Sequence, residues 1–226
     1  MRPFVCLSIL AFATTILFAA CSPPPDPPTD GGVIGGCRLP YVGNPNEPME
    51  VNVVAIGPGY ELVPVTDGSD VTLMFPPQGG RVVFAGVRAR NLNPCAVRLS
   101  GALRDPSSQQ VRLDSRIINL QIAEDGYGQS DVTDIFTFAN IASCPNQWSD
   151  QDLMDVPYEL TVSLTDKDDR NVTHVLQVFP RCNEPGQVEA CLCQCDSEYV
   201  LGMMCYPTDG GGIKDQDASI EDAAGD

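Results

Sequence analysis

Between positions 49 and 180 the sequence breaks into nine short runs, each rich in β-branched or aromatic residues and closed off by Gly, Pro, Asn or Asp. They are MEVNVVAI (49–56), YELVPV (60–65), DVTLMF (70–75), RVVFAGVRAR (81–90), AVRLSGALR (96–104), QVRLDSRIINL (110–120), DIFTFA (134–139), YELTVSLTD (158–166) and NVTHVLQVF (171–179). Their spacing of roughly ten residues leaves room for a strand and a turn and none for a crossover helix. No alternation of strand and helix is visible, so a parallel sheet is not expected. The 20 prolines and 20 glycines fit many tight turns. Together these features predict a mainly β fold of antiparallel strands arranged as a sandwich over 37–181.

Seven to nine such runs resemble the immunoglobulin-like sandwich, in which two antiparallel sheets share one core. The Cys…Trp…Cys signature of antibody domains is absent, because the single Trp148 follows Cys144 in a loop-like stretch. The architecture is therefore expected without membership of that family. The stretch DLMDVP (152–157) reads as a helical turn. A small cysteine-rich unit follows at 182–206, and 207–226, with six acids and one Lys, reads as an acidic disordered tail.

The N-terminal end sets the expected address. Met1-Arg2 is followed by 17 almost unbroken apolar residues, Phe4 to Ala20, then by Cys21. That length is short for a membrane span and suits a secretory signal peptide. Ala19-Ala20-Cys21 resembles the lipobox of bacterial lipoproteins, with Phe18 where that family usually carries a Leu-like residue. The resemblance covers residues 1–21. It implies cleavage of a 1–20 signal peptide, transfer of a diacylglyceryl group to the Cys21 thiol and acylation (palmitate-type chains) of its new amino group. It also implies a membrane partner through the lipid anchor, and Ser22 in place of Asp implies the outer membrane. Residues 21–36, SPPPDPPTDGGVIGG after the cysteine, then form a tether with stiff prolines near the lipid and loose glycines near the module. Cys6 falls within the discarded signal.

Eight further cysteines remain: Cys37, Cys95, Cys144, Cys182, Cys191, Cys193, Cys195 and Cys205. An even number in an exported chain predicts four disulfides. Dividing them after Cys182 gives two groups of four, which favours separate stapling of sandwich and tail unit; a link from Cys37 to the tail stays open. CQCDSEYVLGMMC (193–205) resembles the closing half of an epidermal-growth-factor-like module, although Glu198 stands where that module has Gly. The resemblance implies a Cys195–Cys205 bridge. A competing reading makes Cys191, Cys193 and Cys195 ligands of a soft metal, but the CxxC spacing of structural zinc sites is missing, and no metal or cofactor is expected.

The formal charge of −17 argues against nucleic acid as a partner. Against that background, 81–116 holds seven of eleven arginines and two acids. Strand alternation places Arg88 and Arg90 on one side of their run, with Arg98 and Arg104 opposite Val97, Leu99 and Leu103. It places Arg112 and Arg116 opposite Val111, Leu113 and Ile117. If these segments are neighbours, the six arginines make one solvated basic face. That face would suit an anionic partner such as acidic polysaccharide or an acidic protein. The crowded oxygens of Asp166, Asp168, Asp169 and Asn171 suit a hairpin turn, with Ca²⁺ as the rival. The single His174 lies in an apparent strand, and no nucleophile elbow, HExxH or phosphate loop accompanies it. The expectation is a non-enzymatic, membrane-anchored envelope lipoprotein with a binding or structural role. A carboxylate-pair hydrolase of envelope polymers and a metal-handling lipoprotein are the alternatives.

Overall fold

A computed structural model of the chain describes residues 36–145, 152–154 and 156–205. The expected signal peptide, Cys21, nearly all of the expected tether, Trp148 and the expected acidic tail lie outside the described residues. Within them run eleven strands: β1 Glu50–Ile56, β2 Leu62–Pro64, β3 Ser69–Thr72, β4 Arg81–Arg90, β5 Val97–Arg104, β6 Val111–Ile118, β7 Gln121–Ile122, β8 Gly128–Gln129, β9 Ala139–Cys144, β10 Tyr158–Thr165 and β11 Asn171–Arg181. One helix, α1 Val188–Cys195, follows.

The strands form two sheets. In the first, β2, β1 and β4 are neighbours, and the long β4 serves two partners on its other edge: Arg81–Ala85 pair with β9, while Arg88 and Ala89 pair with β8, which carries β7. The second has the order β3-β11-β10-β5-β6. All pairings are antiparallel except β3 on β11. With β1–β4–β9 opposed to β11–β10–β5–β6, the chain follows the strand order of an immunoglobulin-like sandwich. Where antibody domains place their inter-sheet disulfide, this core is aliphatic.

Period-two alternation builds that core. Tyr158, Leu160, Val162 and Leu164 of β10 point inward beside Leu99 and Leu103 of β5, and meet Val83, Ala85 and Val87 of β4 from the other sheet. Each fully buried Val or Leu contributes about 2 kcal/mol of transfer free energy. The sheets approach closely at Gly101, where an added Cβ would sit 2.7 Å from the Ala139 Cβ. Strand β4 is apolar on both faces because its outer face is covered too. Val82 and Phe84 form a second cluster with Ile56, Met74 and Phe138. The Phe138 ring lies over Gly86, and a Cβ there would meet it at 2.7 Å.

Local departures from the sequence-based expectation have local causes. DIFTFA is not a strand: Ile135–Thr137 form a single 3-10 turn, opened by Asp134, whose carboxylate accepts from Phe136 N. Asp131 and Thr137 likewise spend their side chains on nearby backbone amides, so polar side chains outcompete a ladder here. Pairing resumes one residue later, in β9. Residues 152–154 and 156 form bends and a turn rather than a helix, with Leu153 completely buried.

Candidate functional site

The six arginines do not share a face. β4 belongs to one sheet and β5 and β6 to the other, which separates Arg88 and Arg90 from the remaining four. Each of the two has its own acid: Arg88 contacts Asp125, and Arg90 grips Glu50 through two hydrogen bonds of 2.6 and 2.8 Å. Hydrogen bonding to Arg90 holds the Glu50 carboxyl below its ordinary range. Both guanidinium groups also stack on Tyr127, at 4.5 and 5.4 Å from the ring centre. On the second sheet Arg98 and Arg104 face outward as expected, and Arg104 pairs with Glu159.

On β6 the expected orientation is inverted. Arg112, Asp114 and Arg116 turn inward, while Val111, Leu113 and Ile117 are 50%, 66% and 52% exposed. The register fixes this: Arg112, Asp114 and Arg116 lie opposite Leu103, Gly101 and Leu99, the core-facing residues of β5. The inward charges are all satisfied. Arg112 donates to the Ser143 carbonyl, Asp114 accepts from Asn140 N at 2.8 Å, and Arg116 pairs with Asp114. Burial lowers the Arg112 pKa, opposed by Tyr158 and Asp105 nearby. Asp105 anchors this end of the sandwich. Burial opposes its ionisation, but donation from Ser108 N, the Ser107 hydroxyl, the Tyr158 hydroxyl and Ser107 N outweighs that and holds the carboxyl far below its ordinary range.

The eight cysteines form four disulfides: Cys37–Cys95, Cys144–Cys195, Cys182–Cys191 and Cys193–Cys205. The expected separate stapling of sandwich and tail is overturned, since Cys144–Cys195 and Cys182–Cys191 both sew the tail unit to the ends of strands. Cys37 stays within the sandwich. The Cys195–Cys205 bridge implied by the growth-factor-like resemblance is replaced by Cys193–Cys205. The helix explains the exchange. At 100° per residue, Cys191 and Cys195 stack on one face and are fully buried, while Cys193 turns away toward Cys205. The same geometry disperses the proposed metal trio. The sulfurs of Cys182, Cys191 and Cys195 do converge, with Cys191 and Cys195 Sγ 3.9 Å apart, but they belong to two adjacent disulfides.

Asp166 does not join a cation loop. Its carboxylate accepts from Asp168 N and Arg170 N and pairs with the Arg170 guanidinium at 2.6 Å, closing the β10–β11 hairpin. Asn171 donates to Ser163, Thr165 and the Leu164 carbonyl. His174 lies on the inward side of β11, opposite Val162, with a buried Nε2.

Sequence reasoning missed the most deeply buried ion pair. Arg81, at the start of β4, is 1% exposed and meets Glu184 at 3.3 Å. Its other nitrogens donate to Gln194 and Gln187 of the tail unit, and its guanidinium lies 5.0 Å from the Phe75 ring centre. Glu184 also accepts from Phe75 N and the Tyr60 hydroxyl, which raises the Tyr60 pKa. Burial lowers the Arg81 pKa, and Glu184 opposes that. The signal in the sequence was an Arg opening an otherwise apolar run.

What remains open is the outer face of the second sheet. Cross-strand rows follow from the register: Ser115, Ser100, Ser163 and Thr173 in one, Leu113, Ala102, Thr161 and Val175 in the next. The face is a shallow hydroxyl-rich plane, carrying a depression of about 370 Å³ beside Leu113 and Arg98, and it ends at the apolar outer side of β6. Its geometry suits contact with another extended surface, since it offers backbone, hydroxyl and aliphatic groups and no converging acid–base pair among the described residues. Compared with known proteins, the chain matches no family model, no curated protein and no solved structure.

Proposed function

We propose that this chain is an exported, lipid-anchored protein of the bacterial cell envelope, whose sandwich has a binding or structural role rather than a catalytic one. The observation that carries the reading is cysteine pairing. The eight cysteines from Cys37 onward bridge one another completely, so Cys21 is not required for any of their disulfides. A cysteine left over at the boundary between an apolar segment and a proline-rich one is what lipid attachment requires. Four disulfides also suit an oxidising compartment. The proline-rich stretch from Ser22 then holds the module away from the lipid surface, and Ser22 favours the outer membrane. A non-catalytic role is supported by the buried carboxylates Asp105, Asp166 and Glu184. Each is saturated by donors inside the fold, so among the described residues the buried acids are held ionised rather than poised as general acids. With the arginines dispersed, recognition rests on the open face of the second sheet rather than on a basic patch.

The test is metabolic labelling with radioactive palmitate in a bacterial host, followed by membrane fractionation. The expected result is a labelled protein in the membrane fraction. Cys21→Ala should abolish the label and leave the 1–20 segment uncleaved, read as a higher mass. A wild-type chain that is unlabelled, or a Cys21→Ala chain that keeps its label, overturns the reading.

A further inference from the structure

We propose that the free edge of β6 is an interaction surface for β6 of a second copy of this chain, joining two five-stranded sheets into one across a twofold axis. This goes beyond the anchoring reading and does not depend on it.

β6 closes the second sheet, and among the described residues no strand pairs with its outer edge. Natural proteins protect such edges with Pro, charged side chains (Lys above all), a bulge or inward-pointing charges. β6 contains neither Pro nor Lys, and its register with β5 runs unbroken from Val97↔Ile118 to Arg104↔Val111. Its inward charges are already satisfied within the chain and so do not repel an incoming strand. The turn into β6 fixes which backbone groups are free. Asp105 N donates to the Gln110 carbonyl, so even-numbered residues of β6 spend their amides on β5, and Val111, Leu113, Ser115 and Ile117 direct theirs to the open side. These four also carry the exposed outer side chains. Phe136, 69% exposed and beside Arg116, adds apolar surface on the other side of the edge.

The sequence of β6 selects a second copy as the occupant, through its charge pattern. Antiparallel self-pairing must match inward with inward residues, so the numbers of two opposed residues sum to an even value. A sum of 228 sets Asp114 against Asp114 and Arg112 against Arg116, and a sum of 232 sets Arg116 against Arg116. A sum of 226 overlaps only 111–115 and leaves Arg116 and Ile117 outside the pairing. A sum of 230 overlaps 112–118. It places Leu113 opposite Ile117 twice, Ser115 opposite Ser115, and Asp114 opposite Arg116 twice. The four charges then alternate in sign around the axis. Of these four registers it alone opposes unlike charges across a seven-residue overlap, with Arg112 falling opposite Ile118 at each end.

In that arrangement the two Ser115 residues form a hydrogen-bonded pair, with Cα atoms about 5.5 Å apart, within disulfide reach. The experiment is oxidative cross-linking of Ser115→Cys in the full chain solubilised in mild detergent, read on a non-reducing gel. The eight cysteines from Cys37 to Cys205 are already paired, and the chain without the Ser115 change serves as the control for any cross-linking through Cys21. Ser115→Cys should give a covalent dimer, and Ser100→Cys, one strand inward, should not. Leu113→Cys and Ile117→Cys should each fail alone and cross-link when mixed. Adding Leu113→Lys to Ser115→Cys should suppress the dimer at least tenfold without unfolding the chain, because Leu113 is exposed in the single chain. A Ser115→Cys chain that stays monomeric, or cross-links no more than Ser100→Cys, overturns the proposal, as does capture of an unrelated strand at the edge in place of a second copy.

Discussion

At the scale of single residues, the buried polar groups carry more consequence than the exposed arginines. Arg81 and Glu184 are both out of water, so removing one charge leaves the other uncompensated. Glu184→Gln is therefore expected to lower stability by about 3 kcal/mol, measured by urea unfolding. An exposed pair such as Arg104–Glu159 contributes under about 1 kcal/mol, and charge removal there should be close to silent. Asp105 gives the clearest pH dependence. Its folded pKa lies below the unfolded value near 3.9, so its contribution is complete above that value and is lost as pH falls toward the folded pKa. The stability difference between wild type and Asp105→Asn should be constant from pH 7 to about 5 and shrink steadily below about pH 4. A difference that stays constant to pH 3 would contradict the hydrogen-bond account of this carboxyl.

At the scale of elements, β6 and the segment covering β4 are the instructive cases. The β6 pattern VRLDSRII alternates cleanly, and apolar residues normally take the inner side. Pairing with β5 is set by the short turn at 105–110, and that register puts the charges inside instead. They are tolerated because β9 offers them the Ser143 carbonyl and Asn140 amide. β4 shows the opposite effect, burial on both faces, because Phe138 can lie on Gly86. Gly86→Val should displace that ring, lower stability by about 2 kcal/mol and expose the buried Phe138 to chymotrypsin. Unchanged proteolysis would mean that 130–138 does not depend on this contact. The strands β1, β4, β5, β10 and β11 were legible from alternation and turn residues, because each has a steady apolar side and a clear stop. β7, β8 and α1 were not, because two-residue pairings and an eight-residue helix depend on partners far away in sequence.

Across the whole molecule, the disulfides turn a sandwich and a short helical unit into one body. In chain-entropy terms the 51-residue Cys144–Cys195 link contributes about 4 kcal/mol, and the 12-residue Cys193–Cys205 link about 3 kcal/mol. Replacing Cys144 and Cys195 together by Ala should therefore cost more than replacing Cys193 and Cys205. It should also be the change that lets limited proteolysis separate 182–205 from the sandwich. Equal effects of the two double variants would place the tail's attachment in the Arg81–Glu184 contact rather than in the bridge.

The sequence by itself determined a mainly β, antiparallel, disulfide-rich module, since alternation, turn residues and an even cysteine count are local properties of the chain. It also determined that Cys193 and its neighbours would be bridged, though not to what. Tertiary structure decided the partners. The helical twist of 188–195 sent Cys191 and Cys195 to strand ends and Cys193 to Cys205. Sheet assignment divided the arginines, because whether consecutive strands β4 and β5 pair or cross between layers depends on packing of the whole core. The same competition set the inward face of β6. Burying Arg112 costs desolvation, which the Ser143 carbonyl supplied from the other sheet and the nearby Asp105 offset.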